Sequence, residues 1–144
     1  MGMSGTRVHV EVAMRSGRGI GLVALLAVLG SGCATLPPVR VTAAQMKKPV
    51  TLDKGQDLYI ALASNPTTGY QWSWHEPANS IVKLMEEPSY SATPTDGSVG
   101  KGGTQTFWFR ATDEGSQKIR LLYKRPWEKG GRPVDVAVFE VKVR

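Results

Sequence analysis

Cysteine is almost absent: Cys33 is the only one in 144 residues. A chain with one cysteine forms no internal disulfide and builds no cysteine-based zinc site. Histidine is nearly as scarce. Beyond Cys33 the only one is His75, in a strand-like run that ends at Glu76-Pro77. That position reads as a surface histidine at a strand end, and any His-based catalytic or metal constellation would have to be assembled around this one residue. No cofactor or metal is therefore expected. Without a cysteine or histidine pair after Cys33, an enzyme would need a carboxylate-only or Ser/Lys mechanism, and Glu76, Glu86, Glu87 and Asp113 show no catalytic spacing, so no enzyme is expected. Blocks of like charge are missing too. From Cys33 onward there are 15 Lys and Arg against 11 Asp and Glu, a net +4 spread along the chain. Such an excess suits a solvated face, or an acidic partner surface.

No apolar run approaches the roughly 20 residues that a membrane-spanning helix needs. The longest, Ile20 to Leu29, follows a basic segment with Arg7, Arg15 and Arg18 against Glu11. This is the pattern of a signal-peptide core. Gly30-Ser31-Gly32 then leads into Cys33. Small residues directly before a lone cysteine resemble the lipobox of bacterial lipoproteins, in which lipid is attached to the cysteine and cleavage precedes it. Here Gly30 stands where leucine is usual, with Leu29 one step earlier. Cleavage elsewhere, near Gly32 or Ala34, is the alternative. The expected division is a signal peptide over 1–32, with a possible true start at Met14, a lipid-anchored tether over 33–48, and a domain over 49–144. The implied location is exported and membrane-anchored, facing the periplasm or the cell exterior.

With 41% hydrophobic and 21% charged residues, the chain is globular rather than disordered. Useful helical periodicity is lacking in the domain, but period-two alternation recurs. Val50 and Leu52, Leu58 to Ala63, Tyr70 to His75, Ile81 to Glu86, Thr104 to Ala111, Lys118 to Tyr123 and Val134 to Val143 read as strands. Pro88 to Gly103 reads as one long loop, and Ala34 to Lys48, with two prolines and few large apolar residues, as a tether. About seven strands in this length predict an all-β, immunoglobulin-like β-sandwich, with an OB-type barrel as the rival.

Three connections stand out. Asn65-Pro66-Thr67-Thr68-Gly69-Tyr70 joins two strands. Pro66 fixes its own φ and restricts Asn65, Gly69 tolerates φ > 0, and the hydroxyls and amide are suited to satisfying loop backbone groups. Gly100-Lys101-Gly102-Gly103 enters the aromatic strand with no Cβ at three of four positions, which permits close backbone approach. Arg125-Pro126-Trp127 lies between the last two long strands, and Trp and Arg are the residue types that dominate binding hot spots.

Taken in this order, with strands between them, the three motifs resemble those of the chagasin family of cysteine-peptidase inhibitors, over essentially the whole stretch from Pro49 to Arg144. Tyr70 occupies the aromatic position and Lys101 the variable one. The resemblance implies an immunoglobulin-like sandwich whose three loops form a wedge, entering the active-site cleft of papain-like peptidases and blocking it reversibly. It places Thr67 and Thr68 beside the enzyme's catalytic residues, with Asn65 and Gly69 holding that loop's shape. Gly100 to Gly103 would lie along the cleft floor, and Arg125 and Trp127 would grip the opposite side. Such a wedge acts as a monomer. Two other readings stand beside it. One is a lipid-anchored module that uses the same loops on another envelope protein or a glycan. The other is single-strand nucleic-acid binding through Trp72, Trp74 and Trp108, which export makes an unsuitable partner choice.

Overall fold

In the computed structural model, residues 35–93, 102–128 and 130–144 are described, and among them nine strands form two sheets. The first sheet contains β1 (Val39–Thr42), β3 (Asp57–Ser64), β7 (Gly103–Ala111) and β5 (Val82–Leu84) in that order, with β6 (Ser89–Ala92) also paired to β7. The second runs β2 (Val50–Leu52), β9 (Asp135–Val143), β8 (Gly115–Lys124) and β4 (Gln71–Trp74). No strand is shared between the sheets, which makes this a β-sandwich of immunoglobulin-like type and rules out the closed barrel.

Alternation decides which face each strand buries. Leu58, Ile60 and Leu62 of β3 lie opposite Phe109, Phe107 and Gln105 of β7 and point inward. Across the gap, Ile119 and Leu121 of β8 meet the register of Phe139 and Ala137 of β9, and Val141 and Val143 extend the same inner face. All of these are buried, and Trp72 and Val82 close the core from the edge strands. Trp72 is thus a core residue, and Trp74 packs edge-on against Phe109 at 5.0 Å between ring centroids. Trp108 lies on the outer face in a cross-strand row with Tyr59 and Arg40: its ring stacks on Tyr59 at 5.8 Å, and the Arg40 guanidinium covers Tyr59 at 4.6 Å. The three tryptophans therefore do not make one platform for bases. Two residue pairs along the same ladder, Arg110 grips Asp57 through two bonds of 2.8 and 3.1 Å, and this hydrogen bonding holds the Asp57 carboxyl below its ordinary value.

Two strands were not expected. Val39–Thr42 falls within the segment read as a tether, yet it pairs in parallel with β3 and buries Val41. Gln56 anchors the approach to it, donating from Nε2 to the Pro37 carbonyl at 2.7 Å. The strand ends in a single 3₁₀ turn with a capping box, Thr42 and Gln45 each satisfying the other's backbone environment. The domain thus begins before Val39 rather than at Pro49. The second surprise is β6, inside the segment read as a continuous loop. Its residues are all exposed, so no apolar alternation marks it, and backbone pairing with β7 holds it. The strand read over Ile81 to Glu86 is correspondingly shorter. β5 and β6 are two halves of one edge, interrupted around Pro88, which has no N–H to give the ladder.

Candidate functional site

Asn65–Tyr70 crosses from the end of β3 in one sheet to the start of β4 in the other. Pro66–Thr68 forms one 3₁₀ turn, closed by bonds from the Thr68 N–H to the Asn65 carbonyl at 3.2 Å and from the Gly69 N–H to the Pro66 carbonyl at 2.9 Å. Gly69 then takes φ +82°, the left-handed conformation that only glycine adopts without strain. Both threonine hydroxyls donate into the turn, Thr67 to the Asn65 side-chain oxygen and Thr68 to the Asn65 carbonyl, each at 2.6 Å. The loop is rigid by its own bonding, while Pro66, Thr67 and Thr68 stay exposed.

Its two ends are tied down by side chains from the strands beneath. The Asn65 N–H donates to the Tyr123 hydroxyl at 3.0 Å. Gln105, a polar residue at an inward position of β7, uses its amide as a substitute strand. Its Oε1 accepts the Trp72 N–H and its Nε2 donates to the Trp72 carbonyl, both at 2.9 Å, and Ser64 Oγ reaches the same Oε1 at 3.4 Å. The Trp72 indole N–H closes the base on the Ala63 carbonyl at 2.8 Å. Gln105→Leu will leave both buried Trp72 backbone groups without partners, at about 1–3 kcal/mol each. Unfolding in denaturant is therefore expected to show a loss of about 2–6 kcal/mol. A change within about 0.5 kcal/mol would mean that the amide bridge is dispensable.

The Arg125–Trp127 loop leaves β8 directly beside Tyr123 and turns back with the Glu128 N–H on the Arg125 carbonyl at 3.3 Å. Trp127 is 65% exposed. Its indole lies over Gly69 so closely that a Cβ added there would stand 2.6 Å from Cη2 and 3.0 Å from Cζ2. Arg125 stacks on the Tyr70 ring at 4.6 Å and pairs with Glu128 at 3.1 Å. Tyr70 in turn packs on Tyr123 at 5.7 Å.

The third segment reaches the same end of the sandwich. Gly103 pairs with Ser64, and the Thr93 N–H donates to the Gly102 carbonyl at 3.2 Å. A Cβ on Gly102 would lie 2.6 Å from the Ser64 carbonyl oxygen and 3.3 Å from Asn65 Cβ. A cleft of about 380 Å³ opens at this junction, lined by Ala63, Ser64, Asn65, Thr93, Gly102, Gly103 and Tyr123. Asn65 to Tyr70, Gly102, Gly103 and Arg125 to Trp127 are thus brought to one tip. Gly100, Lys101 and Cys33 lie outside the described residues. Among the described residues no group of three His, Cys, Asp or Glu side chains is placed to hold a metal ion.

Sequence reasoning missed the supports. Tyr123 ends the strand read over Lys118 to Tyr123, two residues before Arg125. Gln105 carried a readable signal: an inward polar residue in an alternating strand must find a buried partner. Glu128 carried none beyond its spacing from Arg125.

Comparison with known proteins agrees with this geometry. The family model described as chagasin family peptidase inhibitor I42 matches residues 51–143. Chagasin of Trypanosoma cruzi is 32% identical over 92 residues, covering 61% of this chain and 82% of chagasin. Amoebiasin-2 of Entamoeba histolytica is 31% identical over 85 residues, covering 59% and 68% of the two chains. The crystal structure of a cysteine protease inhibitor from Entamoeba histolytica superposes with a TM-score of 0.64 at 27% identity, over 74% of this chain and 95% of that one. Strand order, tip and relatives lead to one assignment: the chain belongs to the chagasin family of peptidase inhibitors.

Proposed function

We propose that the three-loop tip is the inhibitory surface, entering the active-site cleft of a papain-like peptidase and closing it reversibly. Such an enzyme pairs a thiolate with a protonated histidine in a cleft open to extended peptides. An inhibitor has to fill that cleft without offering a carbonyl in attack geometry. In this reading Thr67 and Thr68 stand beside the catalytic pair, with their hydroxyl protons already committed inward. Gly100 to Gly103 runs along the cleft floor, and Trp127 meets the opposite wall. Pro66 and Pro126, with the internal bonding of the first loop, leave little conformational entropy to lose on docking. One observation carries the reading: Gly69 and Trp127, far apart in sequence, are in van der Waals contact while the indole keeps 65% of its surface open. A large aromatic held by a second loop and left uncovered has the form of a binding anchor.

The test is an inhibition titration of papain and a cathepsin-L-like enzyme, with serine proteases as controls. Stoichiometric, reversible loss of activity in the cysteine peptidases alone is expected. Unaffected hydrolysis at large excess of inhibitor would reject the reading and leave the loops to another envelope protein or a glycan.

We further propose that Cys33 carries lipid and that the domain works as an exported, membrane-anchored monomer facing the periplasm or the cell exterior. The support is the apolar run from Ile20 to Leu29 and the small residues before a lone cysteine. Labelled palmitate should enter the wild-type protein in a bacterial host and fail to enter Cys33→Ser. Equal labelling of both would remove the anchor.

A further inference from the structure

The family resemblance gives Arg125 a place on the peptidase, but in the free molecule its guanidinium is already occupied. It lies over the Tyr70 ring at 4.6 Å, and its Nη1 is 3.1 Å from Glu128 Oε1. Its Nε is buried and has no hydrogen-bond partner among the described residues, so Arg125 meets the first loop through the face of an aromatic ring. Glu128 is equally constrained. Its N–H bonds back to the Arg125 carbonyl, and its own carbonyl accepts the Gly131 N–H at 3.4 Å. A Cβ on Gly131 would sit 3.0 Å from Glu128 Oε2 and 3.1 Å from Glu128 Cβ. One carboxylate oxygen thus faces Gly131, three residues on, and the other meets the guanidinium. From there the contacts run on through Tyr70 to Tyr123, whose hydroxyl holds the Asn65 N–H.

We propose that Glu128 is a positioning residue for inhibition: its carboxylate holds Arg125 across Tyr70, and this brace sets the Trp127 loop against the Asn65–Tyr70 loop before any peptidase is met. The proposal rests on the tip being the inhibitory surface. An ion pair this exposed adds little to global stability. What it changes is the fraction of free molecules whose two loops stand in the binding arrangement, and the apparent affinity scales with that fraction.

The experiment compares Glu128→Gln, which keeps the size and removes the charge, with wild type, Trp127→Ala and Tyr70→Leu, using papain in stopped flow. In Glu128→Gln the association rate constant is expected to fall about threefold with the dissociation rate constant unchanged. Amide hydrogen exchange at Gly69 and Glu128, whose N–H groups close the two loops on the Pro66 and Arg125 carbonyls, should speed up in the free inhibitor, a readout that needs no peptidase. In a Tyr70→Leu background, where the ring under Arg125 is gone, Glu128→Gln should change the association rate no further. Unchanged association and exchange rates would overturn the proposal. So would an effect confined to dissociation, which would mean that Glu128 touches the peptidase itself, or an undiminished effect without Tyr70. If Trp127→Ala also leaves inhibition intact, the tip reading falls and the brace with it. If Trp127→Ala weakens inhibition and Glu128→Gln does not, only the brace falls.

Discussion

Trp127→Ala is expected to raise the inhibition constant against papain by about thirtyfold or more, the equivalent of about 2 kcal/mol for a hot-spot aromatic. The same substitution should leave the unfolding transition nearly where it is. Its indole contributes nothing to the core: it is 65% exposed and rests on Gly69 at the tip, whereas Trp72 is buried and hydrogen-bonded to Ala63. A tryptophan that keeps this much apolar surface in water forgoes most of the burial energy it could contribute to folding. That separation of affinity from stability is the informative part. A large rise in the inhibition constant with little thermal shift identifies Trp127 as an anchor. An unchanged inhibition constant with a clear loss of stability would make it a lid on the tip, and would take the Arg125–Trp127 loop out of the proposed interface.

Much of this was readable from the chain, for a physical reason. Strands that bury one face must alternate, so Leu58, Ile60 and Leu62, or Phe107, Phe109 and Ala111, announce both their conformation and their inward side. Loops under backbone constraint announce themselves through residues with unusual dihedral freedom, as Pro66 and Gly69 do. The unread parts lack those signatures. β6 buries nothing and is held by the backbone of β7, so its side chains carry no pattern. β1 contributes one core residue, Val41, in a parallel pairing that no local turn could signal, although Thr42-Ala43-Ala44-Gln45 did spell a capping box. Convergence of the three loops at one tip was implied by the family resemblance and not by periodicity. What sequence alone did not reveal is how the tip is held: a glutamine amide standing in for a strand, a tyrosine hydroxyl under Asn65, and an arginine turned toward its own molecule.

The same tip makes a second large effect predictable, at Gly102. A Cβ there would meet the Ser64 carbonyl oxygen at 2.6 Å and Asn65 Cβ at 3.3 Å, and neither obstacle can swing aside. Ser64 is the last residue of β3, paired to Gly103, and Asn65 is held by Tyr123 and by its own turn. Gly102→Ala must therefore push the whole Asn65–Tyr70 loop outward, or displace its own segment from the cleft. Overpacking of this kind costs about 1–3 kcal/mol, and because the displaced backbone is the proposed contact surface, inhibition should weaken by about tenfold or more. At Gly69 the obstacle differs in kind. The clash is with the far end of the Trp127 side chain, which can rotate away, but φ +82° adds a left-handed strain of about 1–2 kcal/mol. Gly69→Ala should thus show its cost in both stability and affinity, with Trp127 displaced. Alanine at Lys101, the variable position in the family resemblance, is expected to be tolerated. Unfolding curves and inhibition constants for the three variants would separate these cases, and equal tolerance at Lys101 and Gly102 would argue against placing the glycine segment on the cleft floor.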